Sequence, residues 1–245
     1  MKKSLVLLLI SSLVSGLYAR QPRTVVEPPF AFRNSGTLEI ERIELAPEST
    51  TVYIQAYFRP HNWIRISSET YIRAGAEGEK LTVRSADGMP LDTEFYMPET
   101  GRHDFSLSFP PVDPKTAKID LIESDCPDCF KIYDIDLTGK KAKPGRSALA
   151  KKYKKTAPLT GNFTVPVVSD SPARIAGAIT GYDPRFFDRI EIAFYSPIVG
   201  DGATELKVPV RADGSFETEL NILTPICGTL FLPGFVTLPF YAEPG

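Results

Sequence analysis

The feature that most constrains this chain is an alternation of apolar and polar residues with a period of two. In the run TVYIQAYF, one face of an extended chain carries Val52, Ile54, Ala56 and Phe58, while the other carries Tyr53, Gln55 and Tyr57. Such alternation is typical of a strand that is buried on one side only. Similar short runs follow at close spacing: NWIRIS, TYIRA, KLTVRS, EFYM, DFSLSF, KIDLIE and KIYDIDL. Turn-forming segments such as ADGMP and PETG separate several of them, so the sequence predicts an all-β sandwich.

The chain divides into two such blocks around a basic segment. Residues 20–138 are predicted to form an N-terminal β-sandwich and residues 161–245 a second one, both immunoglobulin-like. The segment between them, residues 139–160, is rich in lysine and arginine and contains no acidic residue. We interpret it as a solvated linker, and a polybasic contact with an acidic partner is the alternative.

The second block carries a strong turn signal. Asp213 and Gly214 stand between two alternating runs, which predicts a β-hairpin. The residues expected to pair in phase are Leu206, Val208 and Val210 with Phe216, Thr218 and Leu220. The sequence then ends at YAEPG, so we expect this sandwich to be incomplete at its C-terminus and to expose a sheet edge.

The first residues have the layout of a secretory signal peptide. Two lysines precede the apolar run SLVLLLISSLVSGLYA, which has small residues toward its end. This pattern predicts a signal peptide over residues 1–19, with cleavage after Ala19 or, as a second choice, after Gly16. The uninterrupted apolar core from Leu5 to Ile10 is shorter than the about 20 residues of a membrane-spanning helix. We therefore expect export to the periplasm or cell envelope, without stable membrane insertion after cleavage.

Composition limits the classes of partner. The formal net charge is −2 over 245 residues, which provides no excess of positive charge for a nucleic acid. The 22 prolines fit the turns and edges of sheet proteins. With three cysteines, the chain must rely mainly on packed cores, although one disulfide would be at home in an oxidising compartment.

Two of the cysteines, Cys126 and Cys129, stand in C-x-x-C spacing between two predicted strands. A reactive thiol usually owes its low pKa to a helix N-terminus or a nearby cation. Here the run KIYDIDL that follows alternates like a strand, with Ile132, Asp134 and Asp136 on one face and Tyr133, Ile135 and Leu137 on the other, so no helix dipole is expected. Glu123, Asp125 and Asp128 crowd the pair, and negative neighbours disfavour a thiolate.

A tight turn across this spacing explains the pair best. Pro127 presets φ for the second position of a type I turn, whose outer Cα atoms lie within about 7 Å and so overlap the disulfide range. We predict a structural disulfide between Cys126 and Cys129 that fixes a hairpin between KIDLIE and KIYDIDL. A redox-active pair and a reduced or metal-bound pair are the alternatives.

The remaining chemically reactive residues predict no catalytic or metal site. A closed zinc site takes four ligands, and His61, His103 and Cys227 all lie far from the cysteine pair in sequence. We predict that Cys227, flanked by apolar residues, is a buried free thiol. His61 is expected in a solvated turn, and His103 has no serine in a nucleophile-elbow context. No catalytic residue, metal or cofactor is expected.

Aromatic residues of the first block suggest a stacking platform for a sugar. The residues considered for this platform are Tyr57, Trp63, Tyr71 and Tyr96. Cross-strand packing within a sheet predicts the same residues, and we favour packing over a ligand platform.

Three segments of the sequence resemble a known family. AYFRPHNWIRISSETYIRA, LTVRSADGMPLDTEFYMPETGRHDFSLSFPPV and DLIESDCPDCFKIYDIDL resemble the N-terminal region of exported thioredoxin-like disulfide reductases of the TlpA type from Bacteroidetes. VRADGSFETEL resembles the β-sandwich that often follows in those proteins. The resemblance implies that reductase activity resides in a C-terminal thioredoxin domain with its own C-x-x-C. No catalytic residue carries over, because Cys126 and Cys129 match the N-terminal region and not that active site.

The sequence therefore predicts a non-catalytic, exported scaffold or interaction module for thiol–disulfide chemistry done elsewhere. The expected partner is another protein or a C-terminal thioredoxin domain, and the chain is either a truncated form or a stand-alone accessory protein. One alternative is disulfide exchange by the Cys126/Cys129 pair itself. Another is a glycan-binding module of the cell envelope.

Overall fold

The computed structural model describes residues 22–126, 129–139, 168–195, 202–234 and 236–245. These residues form β-strands and no helix, which confirms the all-β prediction. The predicted signal peptide, the predicted basic linker apart from Gly139, and the predicted turn residues Pro127 and Asp128 lie outside the described residues. In the part of the chain that is described, no helix is long and apolar enough to cross a membrane.

The first sandwich, built from the described residues between 22 and 139, consists mainly of two five-stranded antiparallel sheets. Its strands are β1 (Arg23–Val26), β2 (Phe32–Arg33), β3 (Leu38–Leu45), β4 (Thr50–Tyr57), β5 (Trp63–Ile64), β6 (Tyr71–Arg73), β7 (Leu81–Thr82), β8 (Ser85–Asp87), β9 (Phe95–Tyr96), β10 (Arg102–Phe109), β11 (Lys118–Ile122) and β12 (Lys131–Asp136). One sheet has the order β1-β3-β4-β10-β8 and the other the order β2-β12-β11-β6-β7, while β5 pairs with β9 in a separate ribbon.

The two five-stranded sheets share one apolar core. Val52, Ile54 and Ala56 of β4 are buried, as the alternation predicts, and they belong to the same cluster as Ile119 and Leu121 of β11. The prediction is wrong for Phe58, which is 40% exposed because β4 ends one residue before it. Removal of this apolar surface from water is the main force that holds the sheets together. The core thereby fixes the position of the β11–β12 hairpin, which carries the cysteine pair at its turn.

The side chains of β12 follow a different phase from the one that simple alternation predicts. Alternation places Ile132 and Asp134 on one face and Ile135 on the other, and this prediction is wrong. Ile132 and Ile135 are both buried, because Tyr133 and Asp134 together oppose Asp120 at a register shift. The extra residue forms a β-bulge. Asp134 has φ of 55°, and its amide donates to Oδ1 of Asp120 at 3.0 Å.

The second sandwich comprises the described residues from 168 to 245. Its strands are β13 (Ala173–Ala178), β14 (Arg189–Tyr195), β15 (Ala203–Pro209), β16 (Ser215–Leu220), β17 (Ile226–Leu232) and β18 (Val236–Ala242). A four-stranded sheet of order β15-β14-β17-β18 and a two-stranded sheet of β13 and β16 contribute buried residues to one cluster, among them Ile192 and Phe216. β18 is an edge strand, and its Leu238 is 51% exposed.

The predicted hairpin at the Asp-Gly turn forms its turn but not its strand pair. Gly214 has φ of 82°, and its amide donates to the carbonyl of Arg211 at 2.8 Å. β15 nevertheless pairs with β14, and β16 pairs with β13. The strands separate because Val208 and Phe216 bury their side chains in the same core from opposite sheets. The apolar residues of the two runs therefore face the same core from two different sheets, and they do not lie side by side in one hairpin.

Candidate functional site

Cys126 and Cys129 form a disulfide, with their Cα atoms 5.3 Å apart. The disulfide lies in the connection between β11 and β12, which pair antiparallel with Ile122 opposite Lys131. The predicted hairpin between these two runs is confirmed. The type I turn predicted for the same connection lies outside the described residues, so its conformation stays a prediction.

Polar side chains on both sides hold the disulfide loop. Asn34 Nδ2 donates to the carbonyl oxygen of Cys129 at 2.8 Å, and Asn34 Oδ1 accepts from the amide of Lys131 at 2.7 Å. The Ser124 hydroxyl lies 3.2 Å from Sγ of Cys129. A disulfide sulfur carries no hydrogen, so the hydroxyl is the donor. Ser124 Oγ also accepts from the amide of Cys126 at 3.4 Å.

One of the two cysteines borders a surface groove, which we call the disulfide groove. Its lining residues are Ser68, Glu69, Tyr71, Lys80, Thr82, Ser124, Asp125 and Cys126. Lys80 Nζ lies 2.7 Å from Oδ2 of Asp125, and the Tyr71 hydroxyl donates to Oδ1 of the same carboxylate at 3.0 Å. These two donors, Lys80 first, hold the pKa of Asp125 below its usual value.

The groove adds a cation that sequence proximity does not reveal. Lys80 lies just before β7, far from the cysteines in sequence, and the fold brings it to the groove that Cys126 also lines. Its charge is paired with that of Asp125, so the groove that Cys126 lines holds an ion pair and not an isolated cation.

The β11–β12 hairpin also binds the second sandwich through an arginine. Arg185 Nη1 donates to Oδ2 of Asp120 at 3.1 Å, and Nη2 donates to Oδ1 of Asp134 at 3.1 Å. Arg185 is held in turn by Asp183, at 3.0 Å from Nε and 2.8 Å from Nη2. Asp120 is 1% exposed and also accepts from Nε of Arg73 at 3.3 Å. The hydrogen bond between Arg185 and Asp183 raises the pKa of the Arg185 guanidinium above its usual value.

Aromatic rings extend this contact, which we call the inter-sandwich interface. Phe186 stacks on Phe32 with ring centroids 4.9 Å apart, and it lies 5.6 Å from the ring of Tyr133. The turn before β18 also packs against β2 of the first sandwich. A Cβ added to Gly234 in this turn would lie 3.0 Å from the carbonyl oxygen of Arg33. The interface therefore combines charge-assisted hydrogen bonds with apolar packing.

Sequence reasoning did not identify the interface. The signal lies in YDPRFFDR, where an arginine and two adjacent phenylalanines occupy a segment between strands. Large apolar residues beside a charged one in a loop indicate a contact when they are not needed for a strand face. The matching carboxylates could not be assigned, because the bulge at Asp134 changes which side chains share a face.

The proposed aromatic platform is divided by the fold. Trp63 and Tyr96 are directly opposite each other in the β5–β9 ribbon and are 48% and 61% exposed. Tyr71 is 4% exposed and packs with Ile122, so its ring does not join theirs at the surface. Tyr57 lies at the end of β4 and is 40% exposed. The structure brings together Trp63 and Tyr96.

The isolated thiol and histidines have simple surroundings. The prediction that Cys227 is buried is wrong: it is exposed, because it lies opposite Tyr241 on the outer face of the β17–β18 pair. His61 pairs with Glu99 at the surface, and His103 Nε2 lies 2.8 Å from the carbonyl oxygen of Gly88. Within the described ranges, no cluster of three or more His, Cys, Asp or Glu residues could hold a metal ion.

Comparison with known proteins adds little. No protein-family model and no curated protein matches the chain. It is similar to pullulanase type I from Bacillus subtilis str. 168 complexed with maltose, at 8% identity and a TM-score of 0.27, over 78% of this chain and 23% of that one. A pullulanase from Anoxybacillus sp. LM18-11 matches at 8% identity and a TM-score of 0.28, over 80% and 26%. The chain thus spans about a quarter of these structures, and such similarity carries no argument about function.

Proposed function

We propose that this chain is a non-catalytic, exported β-sandwich scaffold, serving as an interaction module for thiol–disulfide chemistry that another domain or protein performs. One observation carries the proposal: the hairpin closed by the Cys126–Cys129 disulfide is the hairpin that binds Arg185 of the second sandwich. A cross-link that limits the freedom of this hairpin in the unfolded chain stabilises the element on which the second sandwich rests.

The surroundings of the sulfurs support a structural cross-link over a catalytic one. In the described part of the chain no helix directs its N-terminus at either cysteine, and Asp125 offsets the nearby Lys80. A helix N-terminus and an unpaired cation are what normally lower the pKa of a nucleophilic thiol. Asn34 and Ser124 also bind the loop in its present conformation.

The proposed partner is a protein dithiol, carried by a separate protein or by a thioredoxin domain of the same polypeptide. The resemblance of the sequence to the N-terminal region of TlpA-type reductases supports this class of partner. A disulfide at this position suits the periplasm or cell envelope, since disulfides persist in oxidising compartments.

The reduction potential of the Cys126–Cys129 pair tests the proposal. The measurement uses the chain from residue 20 onward with Cys227→Ser, because the exposed Cys227 thiol would otherwise react as well. Samples are equilibrated in dithiothreitol buffers, and the reduced fraction is counted by alkylation and mass. A structural disulfide should have a potential below roughly −300 mV. A much more oxidising value would contradict the proposal and favour disulfide exchange by the pair itself.

A glycan-binding module is the second candidate, and the Trp63–Tyr96 pair favours it. Two adjacent exposed rings form a surface on which a sugar ring can stack. Trp63 is the single tryptophan of the chain, so its fluorescence reports on this surface alone. Saturable quenching in a glycan screen that is lost in Tyr96→Ala would support the candidate, whereas an unchanged spectrum across the screen would contradict it.

A further inference from the structure

A pocket of about 220 Å³ opens at the end of the first sandwich where β4 and β11 terminate. Apolar side chains in or next to strands of both sheets and of the β5–β9 ribbon form its walls, namely Leu38, Phe58, Ile64, Ile66 and Phe130. Four of these residues are buried, whereas Phe58 is half-exposed and faces solvent. The pocket shares no lining residue with the disulfide groove.

Glu123 contributes a carboxylate to this apolar lining. Burial raises its pKa, while the amide of Phe130, 3.3 Å from Oε2, and the backbone of Ser67 favour the ionised form. Among the residues that the structure describes, no lysine, arginine or histidine forms an ion pair with it, and the exposed Arg65 attracts it only at longer range. The carboxylate therefore lacks the close cation that would offset its loss of hydration.

We infer that this pocket, which we call the Glu123 pocket, binds a lysine side chain of a protein partner. The ammonium group pairs with the Glu123 carboxylate, and the apolar stem packs against Phe58 and the buried walls. The inference rests on the proposed function in one respect, that the occupant belongs to a protein partner. It adds which surface of the scaffold that partner contacts and which side chain it inserts.

The shape and charge of the Glu123 pocket favour lysine over other side chains. A lysine combines an unbranched apolar stem with a compact charged head. Arginine pairs best with both oxygens of a carboxylate at once, and here Oε2 already accepts from the amide of Phe130. A purely apolar side chain would fill the walls but would bury the Glu123 charge further without pairing it.

The energetics of Glu123 point the same way. Near neutral pH the ionised, half-buried carboxylate opposes folding, and an ammonium group beside it removes that cost because opposite charge at close range favours the ionised form. A carboxylate of perturbed pKa in a largely apolar pocket is a common feature of binding sites. The pocket thus gains on binding what it loses in the free protein.

Matched lysine analogues test the inference by NMR titration of the isotope-labelled chain from residue 20 onward. The main probe is N-acetyl-lysine methylamide. Its norleucine analogue keeps the stem without the ammonium group, and its diaminopropionate analogue keeps the ammonium group on a shorter stem. We expect the lysine probe to bind about threefold to tenfold more tightly than either analogue.

The position of the spectral changes is the second readout. The largest amide shifts should fall on Ile64, Ile66 and Phe130, which line the Glu123 pocket. Shifts centred on Trp63 and Tyr96 would show that the exposed rings bind the cation instead, and they would overturn the inference. Equal affinity of the lysine and norleucine probes would overturn it as well.

A matched pair of variants tests the carboxylate itself. Glu123→Gln keeps an oxygen that can accept from the amide of Phe130 and removes the charge. It should abolish the preference for lysine over norleucine and leave the affinity for norleucine unchanged. Glu48→Gln, at an exposed glutamate between β3 and β4, should keep the preference. A preference that survives in Glu123→Gln, or is lost in both variants, would overturn the inference.

Phe58→Ala tests the apolar wall. Phe58 lies just beyond the end of β4 and is half-exposed, so its removal leaves the core in place. Affinity for the lysine and norleucine probes should fall by the same factor, while that for the diaminopropionate probe should stay unchanged. An unchanged affinity for all three probes would contradict packing of the stem in this pocket.

These outcomes are separable from those of the proposed function. If the lysine probe fails to bind while the reduction potential of the cysteine pair is strongly reducing, the scaffold proposal stands without this contact. If the potential is much more oxidising and the probe still binds at Glu123, the pocket stands and the structural role of the disulfide is contradicted.

Discussion

Arg185 of the second sandwich and Asp120 of the first are joined across 3.1 Å, and Asp120 is almost completely buried. A buried carboxylate is tolerated only when its oxygens are satisfied by donors. Asp120 meets this condition through Arg185, Arg73 and the amide of Asp134. Burial of the Asp120 carboxylate thus depends on the amide of Asp134, which the bulge in β12 presents, and on Arg185 of the second sandwich.

Arg185→Ala is expected to destabilise the protein by about 3 kcal/mol, because it leaves Asp120 and Asp134 with fewer donors at a partly buried site. Urea unfolding at neutral pH measures the loss. The matched control is Arg174→Ala, which removes an exposed arginine paired with Glu217 in the same sandwich. Surface pairs contribute little, so the control should unfold at nearly the same urea concentration as the unmutated protein. Equal losses of stability in the two variants would show that the Arg185 contact stabilises the protein no more than an exposed ion pair does.

Gly234→Ala is expected to weaken the interface by a different route. Gly234 has φ of 89°, and an added Cβ would come within 3.0 Å of the carbonyl oxygen of Arg33. Gly181→Ala separates the two causes, since Gly181 has φ of 73° with nothing within 4 Å. The control should lose about 1 kcal/mol from backbone strain alone, and Gly234→Ala about 2 to 3 kcal/mol because of overpacking as well. Thermal unfolding compares them, and identical losses would contradict a contact between the sandwiches at Gly234.

The sequence predicts features that depend on residues adjacent along the chain. It misses features that depend on which strand lies opposite which. The buried face of β4 and the hairpin of β11 with β12 follow from alternation and turn residues, and the structure contains both. The bulge at Asp134 is not visible in alternation, because its extra residue is stabilised by Asp120 from the opposing strand. Since the bulge decides which carboxylates face Arg185, neither the interface nor its partners could be predicted.

The same limit applies to the disulfide groove and to the Asp-Gly turn. The acidic residues near the cysteines are adjacent in sequence and were predicted, whereas Lys80 arrives through the pairing of β6 with β7. A turn signal specifies a local reversal of the chain. It does not specify whether the flanking strands pair with each other or, as Val208 and Phe216 show, enter opposite sheets.

Glu123→Gln is expected to stabilise the protein near pH 7 and to lose this advantage near pH 4. Burial raises the pKa of Glu123 above its usual value of 4.5. A carboxyl group with a raised pKa in the folded state contributes stability below its unfolded pKa, and this contribution is lost as pH rises through the folded pKa. At pH 7 the ionised, half-buried side chain therefore opposes folding, and glutamine removes that cost.

Urea unfolding at about pH 7 and about pH 4 measures the effect of Glu123→Gln. Glutamine keeps an oxygen that can accept from the amide of Phe130, which lies 3.3 Å from Glu123 Oε2. Glu123→Ala is the control: it removes the charge and the acceptor together, so it should be less stable than Glu123→Gln at both pH values. A stabilisation by Glu123→Gln that is equal at both pH values would contradict burial of the charge as its cause.

Replacing both cysteines of the disulfide by serine is expected to destabilise the folded chain by about 2 kcal/mol. The closed loop is short, and the entropy removed from the unfolded chain grows only slowly with loop length. The comparison is made with Cys227→Ser as the common background, in urea without reductant, so that the exposed thiol plays no part. Unmutated Cys126 and Cys129 in the presence of a strong reductant provide the second reference and should match the double serine variant. If reduction destabilises the protein much more than the serine pair does, the two thiols themselves disturb the loop. A change close to zero in both cases would contradict a stabilising role for the cross-link beneath the Arg185 contact.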